Sequence, residues 1–174
     1  MTSSISVGSP FPKGVKLAYI PYSPENSDVH ACGAPIQLDL DKELAGKKVV
    51  IVAVPGAFTP TCMNDHIPAF GKHLSDFKSK GVDEVIVISA NDPFVLTAWG
   101  KILNLFDKVT FASDPNASFS ESVGLSLDGT AKGLGIRTQR YALVVDNGKV
   151  TYLGVEPNPP EVTVSGADAV LAKL

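Results

Sequence analysis

The amino-acid sequence predicts an α/β fold with a mixed central sheet flanked by helices. Short apolar runs rich in β-branched residues alternate along the chain with segments of helical periodicity. Two of these runs, 48–54 and 84–89, flank a helical segment as a βαβ unit, which favours parallel neighbours. The dipeptide Asn147-Gly148 separates two further runs and predicts a tight hairpin, which adds an antiparallel pair to the sheet.

The predicted strands are the segments in which valine, isoleucine and aromatic residues are most concentrated. By contrast, the glycine-rich segment 124–135 shows no periodicity, and we interpret it as a surface loop. It lacks the strand-to-helix context that a phosphate-binding loop requires. The six predicted strands are 15–20, 48–54, 84–89, 109–113, 141–146 and 149–155.

Three helices are predicted between and after these strands. The first follows Thr59, and its apolar stripe is expected to pack on the sheet. The second begins with Asn91 or Asp92 as its N-cap and has Pro93 in its first turn. The third covers residues 165–174. The apolar stripes are Ile67, Phe70, Leu74 and Phe77 in the first helix, and Phe94, Ala98, Ile102 and Leu105 in the second.

Length and charge limit the kinds of partner that are expected. A chain of 174 residues that is 44% hydrophobic predicts a single domain over residues 1–174. The formal net charge of -3 offers no electrostatic basis for binding nucleic acid or an anionic membrane. The longest apolar stretch, 49–58, is far shorter than the ~20 residues of a membrane span. Small molecules and proteins are therefore the expected partners.

Both ends of the sequence bear on cellular location. The first residues have neither a basic nor an apolar signal region, which predicts an intracellular, reducing and by default cytoplasmic location. The final tripeptide Ala-Lys-Leu is similar to the Ser-Lys-Leu peroxisomal address, so a peroxisomal location is also expected. In a reducing compartment, Cys32 and Cys62 are expected to be free thiols with a redox role rather than a structural disulfide.

Cys62 follows a predicted strand and opens a predicted helix. The strand ends at Pro55, and Thr59 as N-cap places Pro60 at the first helical position and Cys62 in the first turn. Free backbone N–H groups and the positive end of the helix dipole favour an anion there, so the nucleophilic thiolate is favoured over the thiol. Pro68 interrupts the same helix, and we expect that the Cys62 turn can unwind to expose its sulfur.

The run Pro55-Gly-Ala-Phe-Thr59-Pro-Thr-Cys62 resembles the PxxxTxxC signature of peroxiredoxins. Further motifs resemble type V peroxiredoxins, particularly the fungal alkyl hydroperoxide reductases and allergens, and the resemblance covers almost the whole chain. It implies a thioredoxin-like fold, a homodimer, and reduction of hydrogen peroxide and alkyl hydroperoxides without metal, haem or flavin. These motifs are His66-Ile-Pro68-x-Phe70, Asn91-Asp92-Pro93-Phe94, Ala98-Trp99-Gly100, Ser113-Asp114-Pro115 and Arg140-Tyr141-Ala142.

The resemblance also implies a role for each residue that matches the family pattern. Cys62 matches the peroxidatic thiolate, which peroxide oxidises to a sulfenic acid. Thr59 matches the threonine that orients the peroxide, and Pro55 matches the proline that shields the thiolate. Arg140 matches the arginine that holds the thiolate and the peroxide. Arg140 has independent support, because the chain has 13 lysines but only two arginines and this one directly precedes an apolar strand. The other arginine, Arg137, lies toward the predicted glycine-rich loop and matches no comparable residue of the family pattern.

Cys32 is the only other thiol, and it lies in an irregular N-terminal stretch. In fungal relatives of this type a cysteine of the same segment attacks the sulfenic acid of the other subunit. The resemblance therefore implies an intersubunit disulfide that thioredoxin reduces. Type V members differ at this step, so resolution within one chain and recycling by glutathione or glutaredoxin remain open.

Three other functions use the same residues. The pairs His30-x-Cys32 and Cys62-x3-His66 offer four zinc ligands, although their spacing is unusual for zinc. A Cys–His hydrolase would activate Cys62 with His30, His66 or His73, but no hydrolase signature accompanies the cysteine. A non-enzymatic binding or chaperone-like module would expose three aromatic residues, although aromatics at helical spacing usually belong to a core. They are Phe94, Trp99 and Phe106.

Overall fold

The computed structural model describes residues 4–174, whose strands form one seven-stranded sheet and one separate two-stranded hairpin. The strands are β1 (Lys16–Tyr19), β2 (Ile36–Asp39), β3 (Lys48–Ala53), β4 (Glu84–Ser89), β5 (Thr110–Ser113), β6 (Ser126–Asp128), β7 (Ile136–Thr138), β8 (Tyr141–Asp146) and β9 (Lys149–Val155). The helices are α1 (Leu40–Glu43), α2 (Ile67–Lys72), α3 (Leu74–Ser79), α4 (Pro93–Ile102), α5 (Ser118–Ser122) and α6 (Ala167–Leu171), with a π-helical segment (Cys62–His66) before α2.

The large sheet has the order β2-β1-β5-β4-β3-β8-β9. Its central strands β5, β4 and β3 run parallel, and the remaining pairs are antiparallel. The mixed sheet and the parallel β3–β4 pair are therefore confirmed, and all six predicted strands are present. The turn between β8 and β9 places both Asn147 (φ 46°) and Gly148 (φ 77°) in the left-handed region, which this type of tight hairpin requires.

Both faces of the sheet are covered, and β3 shows this most clearly. Val50 and Val52 point into the core beneath the helices that follow β3 and β4. Val49, Ile51 and Ala53 point into a second core, formed with the N-terminal strands and α5. All five side chains are fully buried, which explains why this strand is a continuous apolar run instead of an alternating one.

The first predicted helix is present and packs on the sheet as expected. Ile67, Phe70 and Phe77 of its predicted stripe are buried, and Leu74 packs against the same core. The helix is not continuous, however, because it divides into the π-helical segment, α2 and α3, with a break at His73. Pro68, which was predicted to interrupt the helix, lies instead in the first turn of α2, where a helix tolerates a missing N–H, and the break comes later, at His73.

The second helix begins where predicted but turns a different face to the core. The Asp92 carboxylate accepts hydrogen bonds from two backbone N–H groups of the first turn, at 2.9 and 3.0 Å, which confirms Asp92 as the N-cap. The predicted stripe is wrong at Phe94 and Ile102, which are 50% and 48% exposed, whereas Leu105, beyond the end of the helix, is buried in the core as predicted. The buried face instead contains Leu96 and Trp99, since the large indole gains most from burial.

Three further elements differ from expectation. The segment 124–135 is largely exposed, as predicted, but it is not a patternless loop, because β6 within it pairs with β7. The short edge strand β2 was not predicted, and the third helix is limited to α6 (Ala167–Leu171). Among residues 4–174, no helix has the length and apolarity needed to cross a membrane.

Candidate active site

The site begins where β3 ends. Pro55 has no N–H to continue the ladder, so the chain leaves the sheet and enters a loop over residues 54–59. Thr59 immediately precedes the helix, as predicted, but its Oγ1 donates to the Gly56 carbonyl oxygen at 2.7 Å and does not cap a helical N–H. Phe58 has a left-handed backbone (φ 61°), which a bulky residue rarely adopts. Pro55 and Thr59 are both partly buried beside this loop.

Cys62 lies in the first turn of the helix, as expected, and its side chain is wholly buried. The Met63 N–H bonds to the Thr59 carbonyl at 2.8 Å, whereas the Ile67 N–H bonds back to the Cys62 carbonyl and closes a wider, π-type turn. Pro68, which follows, has no N–H of its own. A sulfur held in this way can meet a second thiol only if the turn opens.

Arg140 reaches the Cys62 sulfur from the far end of the sequence. In the antiparallel β3–β8 pair, Ala53 lies opposite Tyr141, so Arg140 lies beside the chain that leaves β3. Its Nη1 donates to the Cys62 Sγ at 3.3 Å, and its Nε donates to the Pro159 carbonyl at 2.7 Å. The guanidinium is permanently charged and Arg140 is only 3% exposed, so an arginine placed here can stabilise negative charge on the sulfur.

His66 is also a member of the site, although the sequence offered it only as a zinc ligand or as the base of a hydrolase. Arg140 Nη1 also contacts His66 Nδ1 at 3.1 Å. Because an arginine can only donate, Nδ1 is the acceptor, the ring proton is on Nε2, and Nε2 donates to the Ser165 carbonyl at 2.9 Å. Both ring nitrogens are thus engaged, which leaves a hydrolase-type pairing of His66 with Cys62 without support.

Burial sets the charge of His66. It lowers the pKa of this imidazole to about 4, and the positive charge of Arg140 acts in the same direction, against the opposing hydrogen bond to Ser165. His66 is consequently neutral near pH 7 and accepts from Arg140 without repelling it. The signal for it in the sequence is its position four residues after Cys62, which places the two side chains on one helical face.

Glu156 organises the segment that supplies the backbone acceptors of the site. Its buried carboxylate accepts four hydrogen bonds, from the N–H and Oγ1 of Thr163 (2.6 and 2.7 Å) and from the N–H and Oγ of Ser165 (both 2.8 Å). Burial alone would raise the pKa of Glu156, but these hydrogen bonds outweigh it and lower the pKa. Sequence reasoning missed this segment, because backbone carbonyls such as that of Pro159 leave no residue-type signal.

The surroundings of Cys32 differ from those of the residues around Cys62. It is exposed, whereas Cys62 is buried, and both thiols are free. Lys101 Nζ donates to the carbonyls of Asp28 (3.0 Å) and Ala31 (2.7 Å), which fixes the segment that carries Cys32 against the end of α4. Across the described residues 4–174, no three His, Cys, Asp or Glu side chains are placed to share a metal ion, so the four ligands of the zinc alternative are not assembled.

The aromatic residues of the binding-module alternative do not form one exposed surface. Trp99 is fully buried, and its Nε1 donates to the Met63 sulfur at 3.0 Å. Phe106 is also buried, at 7% exposure, and only Phe94 of the three is exposed. Trp99 therefore contacts, through Met63, the helical turn that contains Cys62.

Comparisons with known proteins agree with this geometry. The sequence profile of the Redoxin family matches residues 6–171. A Lipomyces kononenkoae protein, named as a candidate peroxisomal peroxiredoxin, is 56% identical over 165 residues, 94% of this chain and 98% of that one. Peroxiredoxin-2D of Arabidopsis thaliana is 50% identical over 130 residues, 75% and 80% of the two chains. The crystal structure of reduced Prx3 from Vibrio vulnificus in complex with H₂O₂ superposes with a TM-score of 0.83 and 38% identity, covering 97% of this chain and 94% of that chain.

Proposed function

This chain belongs to the Redoxin family and is a peroxiredoxin, a thiol peroxidase with a thioredoxin-like fold, and we propose that Cys62 is its peroxidatic cysteine. The observation that carries the proposal is the 3.3 Å hydrogen bond from Arg140 Nη1 to the Cys62 sulfur in a site closed to water. A charged donor at that position stabilises the thiolate that peroxide chemistry requires.

The reaction is a two-electron displacement. The Cys62 thiolate attacks one peroxide oxygen, an S–O bond forms and the O–O bond breaks. The departing oxygen takes the electron pair and a proton and leaves as water or alcohol, while the sulfur becomes a sulfenic acid. Because negative charge moves from the sulfur to the departing oxygen, a fixed Arg140 guanidinium lowers the barrier.

Thr59 and Pro55 complete the pocket. The Thr59 hydroxyl uses its proton in the hydrogen bond to Gly56, so its lone pairs are available to accept the O–H of a hydroperoxide. This arrangement supports the peroxide-orienting role of Thr59. The position of Pro55, directly after β3 and partly buried, supports its role as a shield for the sulfur.

Cys32 is the proposed resolving thiol. Its thiolate attacks the sulfur of the Cys62 sulfenic acid, an S–S bond forms and the S–O bond breaks, and the departing hydroxide takes a proton from solvent to leave as water. Since Cys32 is exposed and Cys62 is buried, this step requires the Cys62 turn to open. We place Cys32 and Cys62 of the disulfide on the two subunits of a homodimer and assign its reduction to thioredoxin, with a one-cysteine cycle recycled by glutathione or glutaredoxin as the alternative.

Intact-mass analysis under non-reducing conditions tests this scheme. The reduced protein is treated with one equivalent of hydrogen peroxide beside Cys32→Ser and Cys62→Ser variants. A covalent dimer that is absent from both variants is the expected result. A monomer that gains oxygen only when Cys62 is present would establish the one-cysteine cycle, and a wild-type protein unchanged within seconds would refute Cys62 as the peroxidatic residue.

We also propose that the protein is located in the cytoplasm, in the peroxisome or in both. The support is the final Ala-Lys-Leu and the peroxisomal name of the Lipomyces kononenkoae relative. A fluorescent protein fused to the N-terminus leaves the tripeptide free. Punctate fluorescence that disperses when Ala-Lys-Leu is deleted is expected, and an unchanged distribution would remove the peroxisomal assignment.

A further inference from the structure

Beyond the Val54 N–H, which still donates to the Ile88 carbonyl at 3.0 Å, the loop over residues 54–59 is held by side chains. Where β3 ends, its next carbonyl groups lose their strand partners and need other donors. The Val54 carbonyl accepts from Thr138 Oγ1 at 2.8 Å, and the Pro55 carbonyl accepts from Arg137 Nη1 at 3.2 Å. Two consecutive residues of β7 thus hold two consecutive carbonyls of the loop.

Asn91 fixes the same loop from the end of β4. Its Oδ1 accepts from the Ala57 N–H at 2.9 Å, from the hydroxyl of the fully buried Ser89 at 2.9 Å, and from Arg137 Nη1 at 3.4 Å. Arg137 therefore connects Asn91 with the Pro55 carbonyl. Ala57 and Pro55 are held as a unit against two strand ends.

The loop has a shape that its own residues do not favour. Phe58 is left-handed at φ 61°, and such a conformation in a bulky residue persists only where the surroundings enforce it. Arg137 packs directly on this loop, since a Cβ at Gly56 would lie 3.3 Å from Arg137 Nη1 and 3.0 Å from Thr59 Cγ2. The shape that brings Thr59 to the helix start is therefore imposed from outside.

We propose that Arg137 is a positioning residue of the peroxide pocket. Through the Pro55 carbonyl and Asn91, it holds the loop in the conformation that places Pro55 and Thr59 near Cys62. The inference rests on the proposed role of Cys62. The two arginines of the chain then have different roles. Arg140 places a positive charge beside the Cys62 sulfur, and Arg137 fixes the conformation of the loop over residues 54–59.

Lysine is a poor substitute for Arg137. The Arg137 Nε donates to the Leu134 carbonyl at 2.7 Å, while its Nη1 donates to the Pro55 carbonyl and to Asn91 Oδ1. These donors point in different directions from one planar group, and a single ammonium cannot reproduce them. Arg137→Lys is thus expected to retain the charge but only part of the positioning.

The test compares Arg137→Met with the wild type and with Lys132→Met, which removes an exposed positive charge from the same segment. Stopped-flow competition gives the second-order rate constant for oxidation of Cys62 by hydrogen peroxide. We expect a loss of about tenfold or more in Arg137→Met and none in Lys132→Met, because a displacement of about 1 Å of a positioned group can cost about 100-fold in rate. Arg137→Lys is expected to lie between the two.

Two further readouts separate positioning from other effects. Ultraviolet absorbance of the Cys62 thiolate as a function of pH is expected to match the wild type in Arg137→Met, since the Arg140 contact is intact. Amide hydrogen exchange at Ala57 is expected to accelerate, since its partner Asn91 is less firmly held. If Arg137→Met does not fold, Arg137→Lys provides the same comparisons.

Three results would overturn the inference: a wild-type rate in Arg137→Met, an altered thiolate titration, or unchanged exchange at Ala57. Failure of the proposed function has a different signature. If wild-type Cys62 did not react with peroxide, the exchange at Ala57 would still report whether Arg137 holds the loop.

Discussion

Arg140 donates a hydrogen bond from Nη1 to the Cys62 sulfur at 3.3 Å, although the two residues are 78 positions apart in the chain. The same guanidinium is fixed by the Pro159 carbonyl through Nε and by the neutral His66 through Nη1. Its charge is therefore already fixed beside the sulfur, and in the proposed mechanism no reorganisation is needed to place it.

Replacing Arg140 with methionine is expected to reduce the rate constant for oxidation of Cys62 by peroxide about 100-fold or more, as does loss of one preorganised donor in other enzymes. Arg140→Lys retains the charge but cannot donate to Pro159 and Cys62 together, so an intermediate rate is expected. Competition stopped-flow with hydrogen peroxide measures both. A rate in Arg140→Met within twofold of the wild type would contradict the role assigned to Arg140.

His66 is expected to make the folded state sensitive to acid. Its pKa, lowered to about 4 by burial, lies below the ordinary value of 6.5, so the unfolded state binds more protons between these values. The stabilisation is complete above pH 6.5 and is lost as the pH falls towards 4, by about 3 kcal/mol in the free energy of unfolding.

Urea unfolding at pH 7.5 and pH 4.5 checks this dependence in the wild type and in His66→Asn. The variant should lose part of the difference between the two pH values, because it has no imidazole to titrate. His30→Asn, which alters an exposed histidine, serves as the control and should behave as the wild type. Equal pH dependence in all three proteins would show that burial of His66 has no such effect.

Glu84 is expected to have the opposite effect to His66, because it makes the folded state less stable as the pH rises. Burial is the main cause that raises its pKa to about 7, with Glu43 adding to the effect and the hydroxyl of Thr110 opposing it. The folded state then holds the proton more tightly than the unfolded state, so the stabilisation is present below the ordinary value of 4.5 and is lost as the pH rises through 7.

Glu84→Gln therefore should become more stable relative to the wild type as the pH is raised from 5 to 8. Urea unfolding midpoints at the two pH values measure this change. Glu121→Gln, a substitution at an exposed carboxylate, should show no such trend. A constant difference between Glu84→Gln and the wild type would disprove the elevated pKa.

Thr61 offers a way to change how easily the Cys62 turn opens. Its Oγ1 donates to the Pro160 carbonyl at 3.1 Å and ties the start of the helix to the segment that also holds Arg140. In Thr61→Val this tether is lost, so the turn should open more often and Cys62 should meet a second thiol sooner.

At excess peroxide, intact mass spectrometry should then show a larger disulfide fraction and a smaller sulfinic acid fraction in Thr61→Val than in the wild type. Thr151→Val removes a hydroxyl hydrogen bond on β9, to the Val144 carbonyl, and is the matched control. An unchanged product ratio in Thr61→Val would show that this tether does not limit the opening.

The parts of the fold that the sequence predicted well are those decided within a few residues. The runs at 48–54, 84–89 and 141–146 can only be buried strands, and Asn147-Gly148 can readily adopt its left-handed turn. The stripe of α4 was predicted wrongly because two apolar faces compete on that helix. Only the packing of Trp99 against the Cys62 turn decides between them.

Taken alone, the sequence determined the six main strands, the start of the helix after Thr59 and the position of Cys62 in its first turn. Each of these depends on local propensity and hydrogen bonding. The tertiary structure decided which groups meet the sulfur. The register that sets Ala53 opposite Tyr141 brings Arg140 beside the loop after β3, and a slip of one residue would turn every side chain of the strand to the other face. The contacts of His66 with Arg140 and Ser165, and those of Arg137 with Pro55 and Asn91, likewise form between distant segments, because single carbonyl and amide acceptors leave no pattern along a chain.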